Sequence, residues 1–258
     1  MFKRVLSVGV VTVAAFTVLA APAGASHTRS ALKVFHPPAI ISSIAGKTVT
    51  SSNWSGYAAT GSAFTEVQST WVQPASKSCS SKHTYASFWV GIDGYADNSV
   101  EQLGTDSDCS GGSPKYYAWY EMYPAPSINL PSGHPVAAGD SMTARVTRSG
   151  NDYTLSITDA TKSWTFSIVK SAVHDNASVE WIAESPEVGS SLAALTDFGK
   201  VSWTGSEAAQ GGSLEPISSF TNGGGPFRII KKLDGVVDAT PSALSTGGQA
   251  FKITWDHS

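Results

Sequence analysis

From Asn53 to the C-terminus, apolar and polar residues alternate with a period of two in one segment after another. "SFWVGID" (87–93), "YYAWYEMYP" (116–124), "SMTARVTRSGNDYTLSITD" (141–159), "SWTFSIV" (163–169), "SVEWIAESP" (178–186), "KVSWTG" (200–205), "FRIIKKL" (227–233) and "AFKITW" (250–255) each read as a strand or a hairpin bounded by Gly, Ser, Asn or Asp. In the 141–159 stretch, Ala144 and Val146 face one way before a turn at Ser149-Gly150-Asn151-Asp152. Tyr153, Leu155 and Ile157 resume the alternation after it. "SSLAALTDF" (190–198) is the one plausible helical turn. So many strands with so little helix predict an all-β domain, a sandwich or barrel of antiparallel sheets.

The same rule sorts the two faces of each strand. Phe88, Val90 and Ile92 fall on one side, with Trp89, Gly91 and Asp93 on the other. Tyr117, Trp119, Glu121 and Tyr123 share a side, opposite Ala118, Tyr120 and Met122. The 178–186 strand puts Glu180, Ile182 and Glu184 together. The non-core faces therefore collect Trp, Tyr, Asp and Glu, which suits a concave groove for an extended polymer.

Before Asn53 the pattern changes. Lys3 and Arg4 precede an apolar run from Val5 to Ala21, and Ala23-Gly24-Ala25 follows, the layout of a cleavable secretion signal over residues 1–25. Residues 26–51 contain Pro37-Pro38 and no strong strand alternation, and are expected to be a short propeptide or mobile arm. Residues 52–258 form the single expected domain. The whole chain, with 258 residues and 41% hydrophobic content, supplies enough apolar mass for one large core.

Charge separates leader from domain. Residues 1–51 hold Lys3, Arg4, Arg29, Lys33 and Lys47 and no acid. Residues 52–258 therefore carry 12 of the 17 bases against all 20 acids, a balance of −8. An acidic domain argues against nucleic acid as a partner, and a basic leader could cover an acidic cleft. Export would let Cys79 and Cys109, the two cysteines, pair as a disulfide; neither has the spacing of a metal or redox motif. The six histidines are scattered, and HExxH, GxSxG and Asp-Thr/Ser-Gly are absent. Carboxylates and amides remain as the reactive inventory, and carboxylates work best as acids and bases in acid. No cofactor or metal is expected.

Five blocks carry a resemblance: "SNWSGY" (52–57), "FWVGIDGY" (88–95), "EQLGTD" (101–106), "AWYEMYP" (118–124) and "VEWIAESP" (179–186). In order and approximate spacing they resemble the glutamic peptidases, or eqolisins, from Ser52 to the C-terminus. The resemblance implies a concanavalin-like β-sandwich of two bent antiparallel sheets, and a secreted acid endopeptidase acting as a monomer on protein or peptide substrates, with no membrane attachment after processing. It places the family's catalytic Gln on Gln102 and its catalytic Glu on Glu184, the second carboxylate of its strand. Asn53, Trp54, Trp89, Asp93, Trp119 and Glu121 match positions that line or support the cleft. Leu103 stands where the family usually has Thr, Tyr117 where fungal members tend to have Asp, and Met122 where they have Trp. Cys79 and Cys109 do not match the usual disulfides, features that resemble a bacterial-type branch. The competing reading is a concanavalin-like glycoside hydrolase or carbohydrate-binding module using Glu121 and Glu184, which would have no particular use for Gln102.

Overall fold

The computed structural model describes residues 33–45, 47–95, 97–221 and 225–257. The expected signal segment lies outside them. Two stacked layers of mainly antiparallel strands make up the fold. The first runs, in spatial order, through Ser113–Tyr123, Val100–Ser110, Ser87–Ile92, Ser178–Glu184, Trp54–Thr60, Phe227–Leu233, Thr48–Ser51 and Ile41–Ala45. The second runs through Trp164–Ser171, Asp152–Asp159, Ser141–Ser149, Glu66–Val72, Lys200–Ala209, Phe251–Trp255 and Val236–Pro241. Val236–Pro241 pairs with the end of Phe227–Leu233, so one hydrogen-bonded ladder folds over on itself.

The alternation explains the core. Phe88, Val90, Leu103, Ala118, Tyr120 and Trp181 from the first layer meet Trp71, Ala144, Val146, Leu155, Ile157 and Trp203 from the second, all buried. Their burial excludes water from both facing sheets and supplies the main favourable contribution to folding. The opposite face of the first layer, where the groove was expected, is covered: Trp54, Trp89, Trp119 and Ile182 are buried there in a second cluster, with Ala39 and Ile41 of the leader packed on it.

Two local features depart from the sequence pattern. Residues 41–45 and 48–51 are strands, and Thr48–Ser51 runs parallel to the Phe227–Leu233 strand. The 190–198 stretch is not helical; Ser191–Leu192 pairs with Glu187–Val188, which also pairs with Val34–Phe35. Leu195 also bridges to Tyr85, and these pairings override the weak helical propensity of the stretch. Cys79 and Cys109 are joined, with Cα atoms 5.3 Å apart. Among the described residues, no helix is long and apolar enough to cross a membrane.

Candidate active site

Register turns the alternation into rows across the cleft face. Glu180, Gly91, Gln102 and Glu121 are paired across one row. Ile182, Trp89, Gly104 and Trp119 make the next, and Glu184, Ser87, Asp106 and Tyr117 the third. Glycine is required around Trp89. A Cβ on Gly104 would lie 2.1 Å from the Phe88 carbonyl oxygen and 2.6 Å from Trp89 Cβ. One on Gly91 would lie 3.0 Å from the Trp89 indole. The indole therefore lies over bare backbone and its Nε1 donates to Glu184 Oε2 at 2.8 Å.

Asn53 Nδ2 donates to the other oxygen, Glu184 Oε1, at 3.3 Å. Burial pushes the Glu184 carboxyl well above the usual carboxylate range; the Trp89 hydrogen bond opposes this and neighbouring Glu121 adds to it. Gln102 Nε2 donates to Glu121 Oε2 at 2.9 Å, opposite it in the sheet. Burial also raises Glu121, against the pull of the His36 backbone N–H and of Gln102.

Below this pair, Trp119 Nε1 donates to Asp106 Oδ1 at 2.6 Å. The Tyr117 hydroxyl lies 2.8 Å from Asp106 Oδ2 and 2.7 Å from Asp108 Oδ2. A phenol has one proton to give, so one carboxyl must donate its own to the phenol oxygen. Burial raises both carboxyls in agreement with that shared proton. Asp106 and Asp108 thus place two carboxyls beneath Tyr117.

Asp93 stands apart. Its carboxylate accepts the Asn176 and Ala177 backbone N–H groups at 2.8 and 2.6 Å, anchoring the turn that feeds the Glu184 strand. Among the described residues no group of three or more His, Cys, Asp or Glu is placed to hold a metal ion.

A strap made of residues 34–40 fills the cleft. Gln102 Nε2 donates to the His36 carbonyl oxygen at 2.7 Å. The Pro37 carbonyl accepts from Trp54 Nε1 at 3.1 Å and Asn53 Nδ2 at 3.2 Å, and the Pro38 carbonyl accepts from Asn53 Nδ2 at 3.1 Å. Ile40 N–H donates to Asn53 Oδ1 at 2.8 Å. The His36 ring stacks on Trp119 with centroids 3.6 Å apart and planes 2° from parallel. Its Nδ1 lies 3.1 Å from Glu121 Oε2 and its Nε2 3.1 Å from Ser87 Oγ. The leader covers the acidic cleft through His36 and strap carbonyls rather than through its basic charge; Lys47 donates to the Gly225 carbonyl. His36, Ser87 and Asp106 were given no role by the sequence reading. His-Pro-Pro in an otherwise basic leader was the available signal.

Comparison with known proteins agrees with this geometry. A family model described as the Peptidase A4 family matches residues 52–245. Aspergillopepsin-2 of Aspergillus niger is 32% identical over 195 residues, 66% of this chain and 69% of that relative. The crystal structure of scytalido-glutamic peptidase with a transition state analog inhibitor matches with a TM-score of 0.68 at 24% identity, over 80% of this chain and 98% of that one. Aspergilloglutamic peptidase from Aspergillus niger matches with a TM-score of 0.59 at 30% identity, over 67% of this chain and 99% of that one. With a two-layer β fold, a cleft lined by Gln and Glu and a family match across most of its length, the chain belongs to the Peptidase A4 family and is a glutamic-type endopeptidase.

Proposed function

We propose that the chain is a secreted acid endopeptidase in which Glu184 activates water and Gln102 stabilises the oxyanion. The observation that carries this reading is the Gln102 Nε2 hydrogen bond to a peptide carbonyl, His36 O, at 2.7 Å. A neutral amide that keeps its donor at any pH is thereby aimed at the atom where negative charge develops. One such donor is worth roughly 10²- to 10³-fold in rate. Glu184 as carboxylate takes a proton from water; the water oxygen adds to the carbonyl carbon, the C–N bond breaks, and Glu184 returns the proton to the leaving nitrogen. Trp89 and Asn53 stabilise its charged form. Residues 26–51 act as a propeptide whose strap must leave before substrate enters. Its departure admits water to the cleft beside Glu184, which favours the charged form. The glycosidase alternative is disfavoured by the Peptidase A4 match and by a cleft that holds a peptide along its carbonyls.

The test is acid incubation of the full chain with a denatured protein substrate from pH 2 to 7, beside Glu184→Gln and Gln102→Ala. Peptide release confined to acid, reduced at least roughly 100-fold in each variant with circular dichroism unchanged, supports the pair. Wild-type rates in either folded variant refute it.

A further inference from the structure

The strap enters the cleft in the register of a substrate. The oxyanion donor Gln102 meets the carbonyl of His36, so His36 occupies the acyl side of a bond whose nitrogen belongs to Pro37. Glu184 stands on the nitrogen side: Asn53 Nδ2, which donates to Glu184 Oε1, also donates to the Pro37 and Pro38 carbonyls. That is where a group returning a proton to the leaving amine has to be.

The His36 side chain is bound as specifically as its backbone. Its ring has a flat wall on one face, Trp119, and a polar partner at each nitrogen, Glu121 at Nδ1 and Ser87 at Nε2. Asp106 Oδ1 lies 4.0 Å from Nε2. The pocket walls are held by contacts of their own, since Gln102 holds Glu121 while Trp119 and Tyr117 hold Asp106. All four lining residues are buried.

We propose that Ser87, Asp106, Trp119 and Glu121 form the pocket that selects the residue on the acyl side of the cleaved bond, and that the side chain it selects is an imidazole. This rests on the Glu184–Gln102 reading above. A neutral ring gives Nδ1–H to Glu121 and accepts the Ser87 hydroxyl proton at Nε2. A charged ring donates at both nitrogens, toward Glu121 and toward Ser87 with Asp106 behind it. Phenylalanine would stack but leave Ser87 and a Glu121 oxygen facing carbon, and leucine would lose the stacking as well. Sites built around hydrogen bonds discriminate strongly against analogues lacking them.

The same register explains how a preferred residue can sit in the cleft of a peptidase. Cleavage there would add a water oxygen to the His36 carbonyl carbon, break its bond to the Pro37 nitrogen and leave a His36 carboxyl group and a Pro37 amine. Proline places a ring carbon where every other residue has its amide hydrogen, which crowds the nitrogen that has to be protonated and released. The strap thus offers a favoured acyl residue joined to an unfavourable leaving group.

Full-length protein in acid is given a series of peptides identical except for one residue, His, Phe, Leu or Lys, each followed by Ala. The His peptide is expected to be cleaved after that residue with kcat/KM at least about 10-fold above the Phe and Leu peptides. Ser87→Ala should narrow the His-to-Phe ratio. In a separate arm, Pro37→Ala should yield a fragment whose N-terminal sequencing starts at the substituted position, directly after His36. Equal cleavage of His and Phe peptides overturns the imidazole pocket while leaving the Glu184–Gln102 reading standing. A Pro37→Ala chain that stays intact between 36 and 37 overturns the register. Hydrolysis that survives Glu184→Gln overturns the underlying reading itself.

Discussion

A carboxylate buried among indoles would hold its proton too tightly to act as a base unless nearby donors offset the cost of its charge. Trp89 Nε1 and Asn53 Nδ2 are those donors for Glu184. Trp89→Phe keeps a ring over Gly91 and Gly104 but removes the stronger hydrogen bond. With a lowering influence gone, the raised Glu184 pKa rises further, and the ionised base is populated only at higher pH. The acid limb of the kcat/KM profile should move upward, and the rate at its old optimum should fall roughly 10- to 100-fold, the range for a lost bond to a charged group. An unmoved acid limb would show that the indole only packs. The glycines beneath Trp89 give a stability counterpart. In Gly104→Ala the new methyl meets the Phe88 carbonyl and Trp89 Cβ, backbone and near-backbone atoms that cannot swing aside. A loss of about 3 kcal/mol is expected from such overpacking, read from the urea midpoint.

At the scale of elements, the strap couples the cleft to pH. Seated, the His36 ring is held neutral by burial, its pKa lowered to about 4 against the opposing pull of Asp106; free in water it returns to 6.5. The released strap therefore binds more protons than the seated one between those values, and seating weakens as pH falls from about 6.5 to about 4. The facing groups are Glu121, Asp106 and Ser87, and burial raises both carboxyls, which limits the negative charge they offer an imidazolium. His36→Phe retains the stacking and cannot titrate. In a time course of peptide hydrolysis started by acidification, the wild-type lag should shorten as pH falls through this window, and the variant's lag should not follow pH over it. Little of this element was visible in the chain, although much else was. Period-two alternation placed Phe88 and Val90 in the core, Trp89, Trp119 and Glu184 on the cleft face, and the hairpin turn at 149–152. Those are local consequences of side chains alternating along a strand. His36 reaches Glu121 across 85 residues of sequence, and Thr48–Ser51 pairs in parallel with a strand 180 residues later. "TVTS" and "ISSIA" are too short and too polar to announce such partners. The 190–198 stretch misled for the same reason, since its local pattern could not reveal the bridge from Leu195 to Tyr85.

Across the whole molecule, a set of carboxyls is buried with pKa values pushed upward: Asp93, Glu101, Asp106, Asp108, Glu121, Glu180 and Glu184. Burial is the largest cause at each, and it penalises the charged form. Asp93 is raised from 3.8 to about 6 and Glu101 from 4.5 to about 9. In the unfolded chain these groups ionise near pH 4, whereas the folded protein keeps their protons to higher pH. Their contribution to stability is thus fully present below about pH 4. It declines as pH rises, through about 6 for Asp93 and on toward 9 for Glu101, by about 1.4 kcal/mol per unit for each group still holding its proton. Urea midpoints should accordingly be higher at pH 4 than at pH 7, the reverse of a fold supported by ionised surface pairs. Glu180 offers the cleanest test, being fully buried and outside the catalytic pair, with the Ser178 hydroxyl opposing its rise. Glu180→Gln keeps the shape without a titrating proton, so the fall in midpoint between pH 4 and 7 should become shallower in the variant. A midpoint that rises with pH in the wild type would contradict the assignment of these protons to the folded state. A slope unchanged by Glu180→Gln would mean that Glu180 takes no part in it. Acidification that loosens the strap through His36 and strengthens the sandwich through its buried carboxyls would uncover the cleft under the conditions in which the fold is most secure.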